Sequence, residues 1–272
     1  MTPAADPSPR PAPARLPFFA TLALFACAAV WMAALLRPPP FADAAWAAAL
    51  FLVFALAATL LALARTLPAQ NVLAVTAITA FLSSIAEIIN LKSGIPFGAR
   101  IYTDAFGPKL FGLLPWPVPF IWPVAILNSR GVARLILRPW RKTAKYGLWV
   151  IGLAALLAVI FDFNLEPFAS VANSWWIWQM PKTVPAWQTA PWVNFLAWAV
   201  LTLLILAFTT PWLINKNRAR SAPPDYHPLL LWLLLDLLPA IGDAAHHLWL
   251  PAALAVILAA LVTTFALRGA KW

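Results

Sequence analysis

A chain of 272 residues that is 63% hydrophobic and only 10% charged, with a net charge of +10 and a single cysteine, is too apolar for an ordinary water-soluble domain. Several of its apolar runs reach the ~20 residues that a helix needs to cross a bilayer, so the expected fold class is all-α, a polytopic transmembrane helical bundle. Cys27 has no partner in the chain, which excludes an intramolecular disulfide.

The first stretch, "MTPAADPSPRPAPAR", is rich in Pro and Ala and cannot bury a core. Residues 1–16 are therefore expected to form a disordered tail, and residues 17–272 a single transmembrane domain. A cleaved signal peptide fits less well, because the apolar run at 18–36 exceeds a ~7–15-residue signal core and lacks a clean cleavage site. Hydropathy places eight spans, at 18–36, 41–64, 72–91, 113–136, 147–163, 192–214, 229–244 and 247–267. The seventh is the weakest, so seven spans are the alternative. With both termini in the cytoplasm, 14 of the 19 basic residues fall inside, and only Arg37, Lys92, Arg100, Lys109 and Lys182 fall outside. The positive charge then reads as a topology signal with contact to anionic lipid, not as a nucleic-acid surface.

The same topology gathers the acids in one layer. Glu87, Asp104, Asp162, Glu166 and Asp243 fall near the outer ends of spans or in outer loops, and Asp236 sits deeper in the seventh span. Asp43 reads as a helix-start residue, and Asp225 as a solvated residue on the cytoplasmic side. A charge in a span costs ~2.5–3.5 kcal/mol on insertion scales and is a functional candidate by default. Against that stand purely structural roles: Glu87 pairing with Lys92 or Arg100, or Asp162 capping a helix broken at Pro167.

The loop "SGIPFGARIYTDAFGPKLFG" is unusually specific for a connector, with glycine-flanked turns around a Tyr-Thr-Asp. Behind it, Pro115, Pro117, Pro119 and Pro123 each remove a backbone donor, so the start of the fourth span is not expected to be a regular helix. Broken backbone at membrane depth survives only where protein or a cavity satisfies it. A later loop holds Trp175, Trp176, Trp178, Trp187, Trp192 and Trp198. These read first as an interfacial belt, with some rings also lining a lipophilic groove.

The blocks "AEIINLKSGIPFGARIYTDAFGPKLFGLLPWPVPFIWPVAILNSRGVARLI", "FDFNLEPFAS", "WWIW" and "PWVNFLAW" follow one another between Glu87 and Trp198. In order and spacing they resemble the integral-membrane carotenoid-biosynthesis family, which includes the carotenoid 1,2-hydratases of bacteria and the bisanhydrobacterioruberin hydratases of archaea. The chain departs from that pattern where it carries Arg100 in place of an aromatic residue and Glu166 in place of an aspartate. It also lacks a Tyr-Phe-Gly before the proline equivalent to Pro191.

The resemblance implies a multi-pass protein of a bacterial inner membrane that adds water to the terminal 1,2 double bond of an acyclic carotenoid, such as lycopene or γ-carotene, without a cofactor. Other carotenoid-pathway enzymes are possible partners. Such chemistry needs a proton donor, a carboxylate facing the cation, a water site and a hydrocarbon slot. Glu87 is the expected buried acid and Asp162 the cation-facing carboxylate, with Glu166 beside it and Asp104 and Tyr102 positioning water or the loop. Phe97, Tyr102, Trp116, Trp122, Trp175, Trp176, Trp178 and Asn194 are the candidates for lining the substrate slot.

Three histidines, His227, His246 and His247, are too few for a di-iron hydroxylase. Adjacent histidines at the start of a last helical span would diverge by about 100°. No Gly-rich dinucleotide fingerprint follows a strand, and no lysine lies at mid-span to carry a retinal Schiff base. A non-catalytic carotenoid-binding scaffold and a small-solute transporter are the competing readings, although no inverted repeat supports the second.

Overall fold

Long apolar runs wind into helices in the computed structural model, which describes residues 16–36, 45–181, 183–214 and 223–272. Among these residues lie α1 (Leu16–Leu36), α2 (Ala45–Ala64), α3 (Ala69–Ser93), α4 (Val118–Ile136), α5 (Tyr146–Glu166), α6 (Trp192–Thr209), α7 (His227–Ala245) and α8 (Trp249–Ala270). Five of the eight, α3 and α5 to α8, are long and apolar enough to cross a membrane. Apart from Leu16, which begins α1, the expected N-terminal tail lies outside the described residues, as do Arg37, Asp43, Lys182, Lys216, Arg218 and Arg220.

The fourth helix is not among the five. It is the hub of the bundle, packing on α2, α3, α5, α7 and α8, and 14 of its 19 residues are buried. Because protein surrounds it, α4 tolerates polar residues that a lipid-facing helix would not. The amide of Asn128, for example, donates to Thr59 Oγ1 and to the Val124 carbonyl, each at 2.8 Å. The helix also begins later than hydropathy suggests, at Val118, because Leu114–Pro115 is drawn into a short antiparallel hairpin with Lys109–Leu110. Pro119 occupies the first turn, where a missing N–H costs nothing. Of the four prolines, only Pro123 lies inside the helix.

Pro167 was expected to break α5, but the chain continues past it as a π-helical turn, Pro167–Ala172. A proline deprives the carbonyl four residues back of its partner. Here that carbonyl belongs to Phe163, and it accepts instead from the indole N–H of Trp187 at 3.0 Å. The orphaned acceptor is satisfied from the following loop, so the helix need not end.

Two loops close over the ends of α3, α4 and α5. Strand β1 (Arg100–Tyr102) pairs antiparallel with β4 (Trp176–Trp178), in the register Arg100 to Trp178 and Tyr102 to Trp176; β2 and β3 form the hairpin above, and β5 (Ala186–Trp187) pairs with β6 (Ala190–Pro191). Strand alternation sends Ile101 and Ile177 outward and Arg100, Tyr102 and Trp176 into the buried face. Asn90 clamps the first loop to α3, accepting from Phe97 N–H at 2.8 Å and donating to the Gly98 carbonyl at 2.9 Å. Thr103 N–H to the Trp175 carbonyl and Gln179 N–H to the Ala99 carbonyl extend the seam on both sides of the strands.

Candidate functional site

The two-stranded seam drives one arginine into a nest of acids. Arg100 is 5% exposed, and the acids around it, Glu87, Asp162 and Glu166, are 2%, 1% and 0% exposed. Arg100 Nη2 lies 2.6 Å from Glu87 Oε2, and Nη1 lies 3.8 Å from Glu166 Oε1. Four aromatic rings surround the guanidinium: its Cζ lies 5.0 to 5.4 Å from the centroids of Phe97, Tyr102, Trp176 and Trp178, within cation–π range. Burial by itself would lower the pKa of Arg100, but the charge of Glu87, with Tyr102 and Glu166, drives it above the usual arginine value, so the guanidinium stays charged. Burial first, and then the neighbouring carboxyl groups, hold the Tyr102 phenol well above its ordinary pKa despite the opposing pull of Arg100, so it acts as a donor.

The three acids differ in what touches them. Glu87 accepts from Arg100, from the Tyr102 hydroxyl at 3.1 Å and from Trp122 Nε1 at 3.3 Å. Glu166 accepts from Trp176 Nε1 at 3.1 Å, from Trp178 Nε1 at 3.0 Å and from Asn194 Nδ2 at 3.3 Å. Asp162, one turn earlier on α5, accepts from Asn194 Nδ2 alone among the described residues. Asn194, at the start of α6, thus bridges the two acids of α5, and its Oδ1 is buried with no donor among the described residues. An aromatic wall flanks the cluster: Trp122 stacks on Trp198 with centroids 3.7 Å apart, and Phe161 and Phe97 pack against that pair. A small apolar cavity of about 30 Å³ opens between α2, α4, α5 and α7, lined by Phe161, Leu165 and Trp175 among others.

Of the residues singled out from sequence, Glu87, Asp162, Glu166, Tyr102, Phe97, Trp122, Trp176, Trp178 and Asn194 meet in this one cluster. Trp175 lies beside it, stacked on Phe106 at 4.3 Å. Asp104 does not join: its side chain is 95% exposed and pairs with Lys109 at 3.0 Å. Trp116 packs edge-on against Phe120 outside the cluster.

The expected tryptophan belt is largely a set of buried structural donors. Trp175, Trp176 and Trp198 are buried, Trp178 and Trp187 are partly so, and of the six only Trp192 is exposed. The N–H groups of Trp176 and Trp178 are spent on Glu166 and that of Trp187 on the Phe163 carbonyl, whereas the Trp198 N–H is buried with no acceptor among the described residues. His246 and His247 lie in the turn between α7 and α8, not on the last helix, and the His247 ring packs on Trp249.

Asp225 is only partly solvated. It accepts from the His227 backbone N–H at 3.2 Å and lies 2.7 Å from His227 Nδ1. Burial alone would raise its pKa, but those bonds and the charges of His227 and Arg65 hold the carboxyl below the usual range.

Sequence reasoning caught one feature only in part and missed another. Arg100 reads as an outer-loop cation and as one of two partners open to Glu87, and that pair forms, yet its place at the centre of the site was not foreseen; its position between aromatics at alternating positions, next to a W-x-W strand, is the signal that could have found it. The second is a polar pair on the far side of α5, where the Asn164 amide donates to Asp236. Two residues along a helix turn by about 200°, so Asn164 cannot share the face of Asp162.

Apolar helices around a buried hub, capped by loops that seal three acids and an arginine away from water, define a polytopic helical membrane protein with a buried polar site. The chain belongs to the carotenoid biosynthesis protein family, whose model matches residues 47–262. It is also 27% identical over 166 residues to a bisanhydrobacterioruberin hydratase of Haloarcula japonica. That alignment covers 60% of this chain and 54% of the relative, so it spans about half the relative's length. No solved structure matches.

Proposed function

We propose that the protein hydrates the terminal 1,2 double bond of an acyclic carotenoid end group, giving a tertiary alcohol, and needs no cofactor to do so. The observation that carries this reading is the asymmetry of the three buried acids: Glu87 and Glu166 each accept from three donors, whereas Asp162 accepts only from Asn194.

The asymmetry favours an exchange of the roles expected from sequence. Arg100 and Trp122 can only donate, and the Tyr102 hydroxyl donates to Glu87 as well, so Glu87 serves as a fixed carboxylate. Three ionised carboxylates around one guanidinium would leave two buried charges uncompensated, at several kcal/mol each. Asp162 is the group with no cation or indole on it and is therefore the proton carrier. In the proposed reaction it delivers its proton to C2, the less substituted alkene carbon, and the π electrons form the new C–H bond. The tertiary cation left at C1 faces the rings of Trp122 and Trp198 and the anionic pair Glu87 and Glu166. Water held by Asn194 Oδ1 attacks C1, and the proton it releases returns to Asp162, so the acid is regenerated.

The end group would enter from the bilayer, with the site at the outer end of a multi-pass protein in a bacterial inner membrane. The test is the origin of the new oxygen. Membranes containing the protein are incubated with an acyclic carotenoid in heavy-oxygen water, without air or added reductant. A labelled tertiary alcohol heavier than the substrate by one water is expected; oxygen drawn from dioxygen, or product formed only in air, overturns the reading.

A further inference from the structure

At the end of the bundle away from Arg100, residues of α2, α4, α5 and α7 and of the turn after α4 line a second, larger and half-open cavity of about 810 Å³. Arg130 on its wall lies eight residues beyond Trp122 on α4, roughly 12 Å along the helix axis. Five cations line the cavity: Arg130, Arg134, Arg138, Arg141 and Lys142. The one carboxyl group among its lining residues is Asp225, which is already engaged by His227. Nor does the linker 215–222, "NKNRARSA", offer a counter-charge, since it carries three more cations and no acid.

Arg130 and Arg134 are one turn apart on α4, a spacing at which like charges destabilise a helix. Arg130 is 8% exposed, and one of its nitrogens donates to the Leu213 carbonyl at 3.1 Å. Arg134, Arg141 and Lys142 make no salt bridge among the described residues. Attraction to the membrane surface in general would be served by cations spread over the exposed face. It does not call for guanidiniums arranged around a hollow, one of them buried. Beside the cations and a few hydroxyl groups, those of Thr59, Thr66 and Tyr146, the wall carries an apolar strip of Ala62, Leu63, Leu127, Leu135 and Pro228. The occupant that matches both linings is a phosphate oxyanion, which arginine forks bind in pairs, attached to hydrocarbon.

We propose that this cavity is a binding site for a phosphate group, supplied by the headgroup of an anionic phospholipid, and that it is separate from the acid cluster. Basic pockets between helices near the cytoplasmic surface are suited to such headgroups.

The test uses the full-length protein purified in non-ionic detergent, titrated with phosphatidylglycerol, phosphatidylcholine or sodium phosphate. Bound lipid is read by native mass spectrometry and stabilisation by thermal unfolding. Retention of phosphatidylglycerol over phosphatidylcholine is expected. Arg134→Gln and Arg141→Gln should each weaken phosphatidylglycerol binding about tenfold, as befits a charge-assisted hydrogen bond. Lys271→Gln, an exposed cation off the cavity, should bind as wild type. If Arg134→Gln does not fold, Lys142→Gln on the exposed rim replaces it. Stabilisation by sodium phosphate equal to that by lipid would keep the phosphate site and assign it to the free anion. Equal retention of the two lipids, unchanged binding in the arginine variants, or an equal loss in Lys271→Gln overturns the proposal.

Discussion

Glu87 and Asp162 are both buried acids beside Arg100, but neutralising them should have different consequences. Glu87→Gln removes the charge 2.6 Å from the guanidinium and leaves Arg100 with only Glu166 at 3.8 Å. Breaking a buried ion pair from one side costs ~3–5 kcal/mol, so this variant is expected to lose both stability and activity. Asp162→Asn replaces a carboxyl that touches no cation with an amide of the same shape, so the fold should persist while hydration falls ~10²-fold or more, the usual worth of a general acid. Asp104→Asn, on an exposed side chain, should keep wild-type activity. Thermal unfolding in detergent and pigment analysis in a lycopene-producing host would separate the three. An Asp162→Asn variant with full activity would remove Asp162 from the mechanism, and an equally folded, inactive Glu87→Gln would restore Glu87 as the proton donor.

At the scale of elements, the site depends on an exchange between α5 and the loop after it. Trp187→Phe would leave the part-buried Phe163 carbonyl without its donor, at about 1 kcal/mol, the low end of the cost of an unsatisfied acceptor. Pro167→Ala would return an N–H to that carbonyl, so the double variant should recover much of the loss. A double-variant unfolding temperature no higher than that of Trp187→Phe alone would break the argument. The helices were legible in sequence because an apolar run needs only local composition to declare itself, and Glu87, Asp162 and Glu166 were legible because a charge in such a run is costly. The strands were not, because β1 and β4 are joined by pairing across more than seventy residues, which no local pattern encodes. With that pairing hidden, Arg100 looked like a loop cation, and the indoles of Trp176 and Trp178 looked like headgroup anchors when they are donors to Glu166. Asp104 was misplaced for the converse reason: it sits in the right loop, but on a 3-10 turn, Asp104–Phe106, that buries Phe106 and turns the acid outward.

Over the whole molecule the acid cluster around Arg100 and the cavity lined by Arg130, Arg134, Arg138 and Arg141 occupy opposite ends, and α4 connects them. The excess of Lys and Arg on one side predicts that the cavity end faces the cytoplasm. Single cysteines at Lys109 and Lys142, introduced with Cys27→Ser, should be labelled by an impermeant maleimide from outside and only after lysis, respectively; labelling of position 142 in intact cells would invert the orientation. The N-terminus of α4 lies near Glu87 through Trp122, and its C-terminus lies among Arg130 and Arg134, so the side-chain charges run opposite to the helix dipole and compensate it at both ends. In this orientation an energised membrane, negative inside, pulls the guanidiniums inward and pushes the carboxylates outward, by ~2.3 kcal/mol for each full charge moved across 100 mV. With the cavity end in the cytoplasm, the transmembrane voltage would act as a force on the bundle as a whole, favouring that seating in energised cells and weakening the preference once the gradient is collapsed.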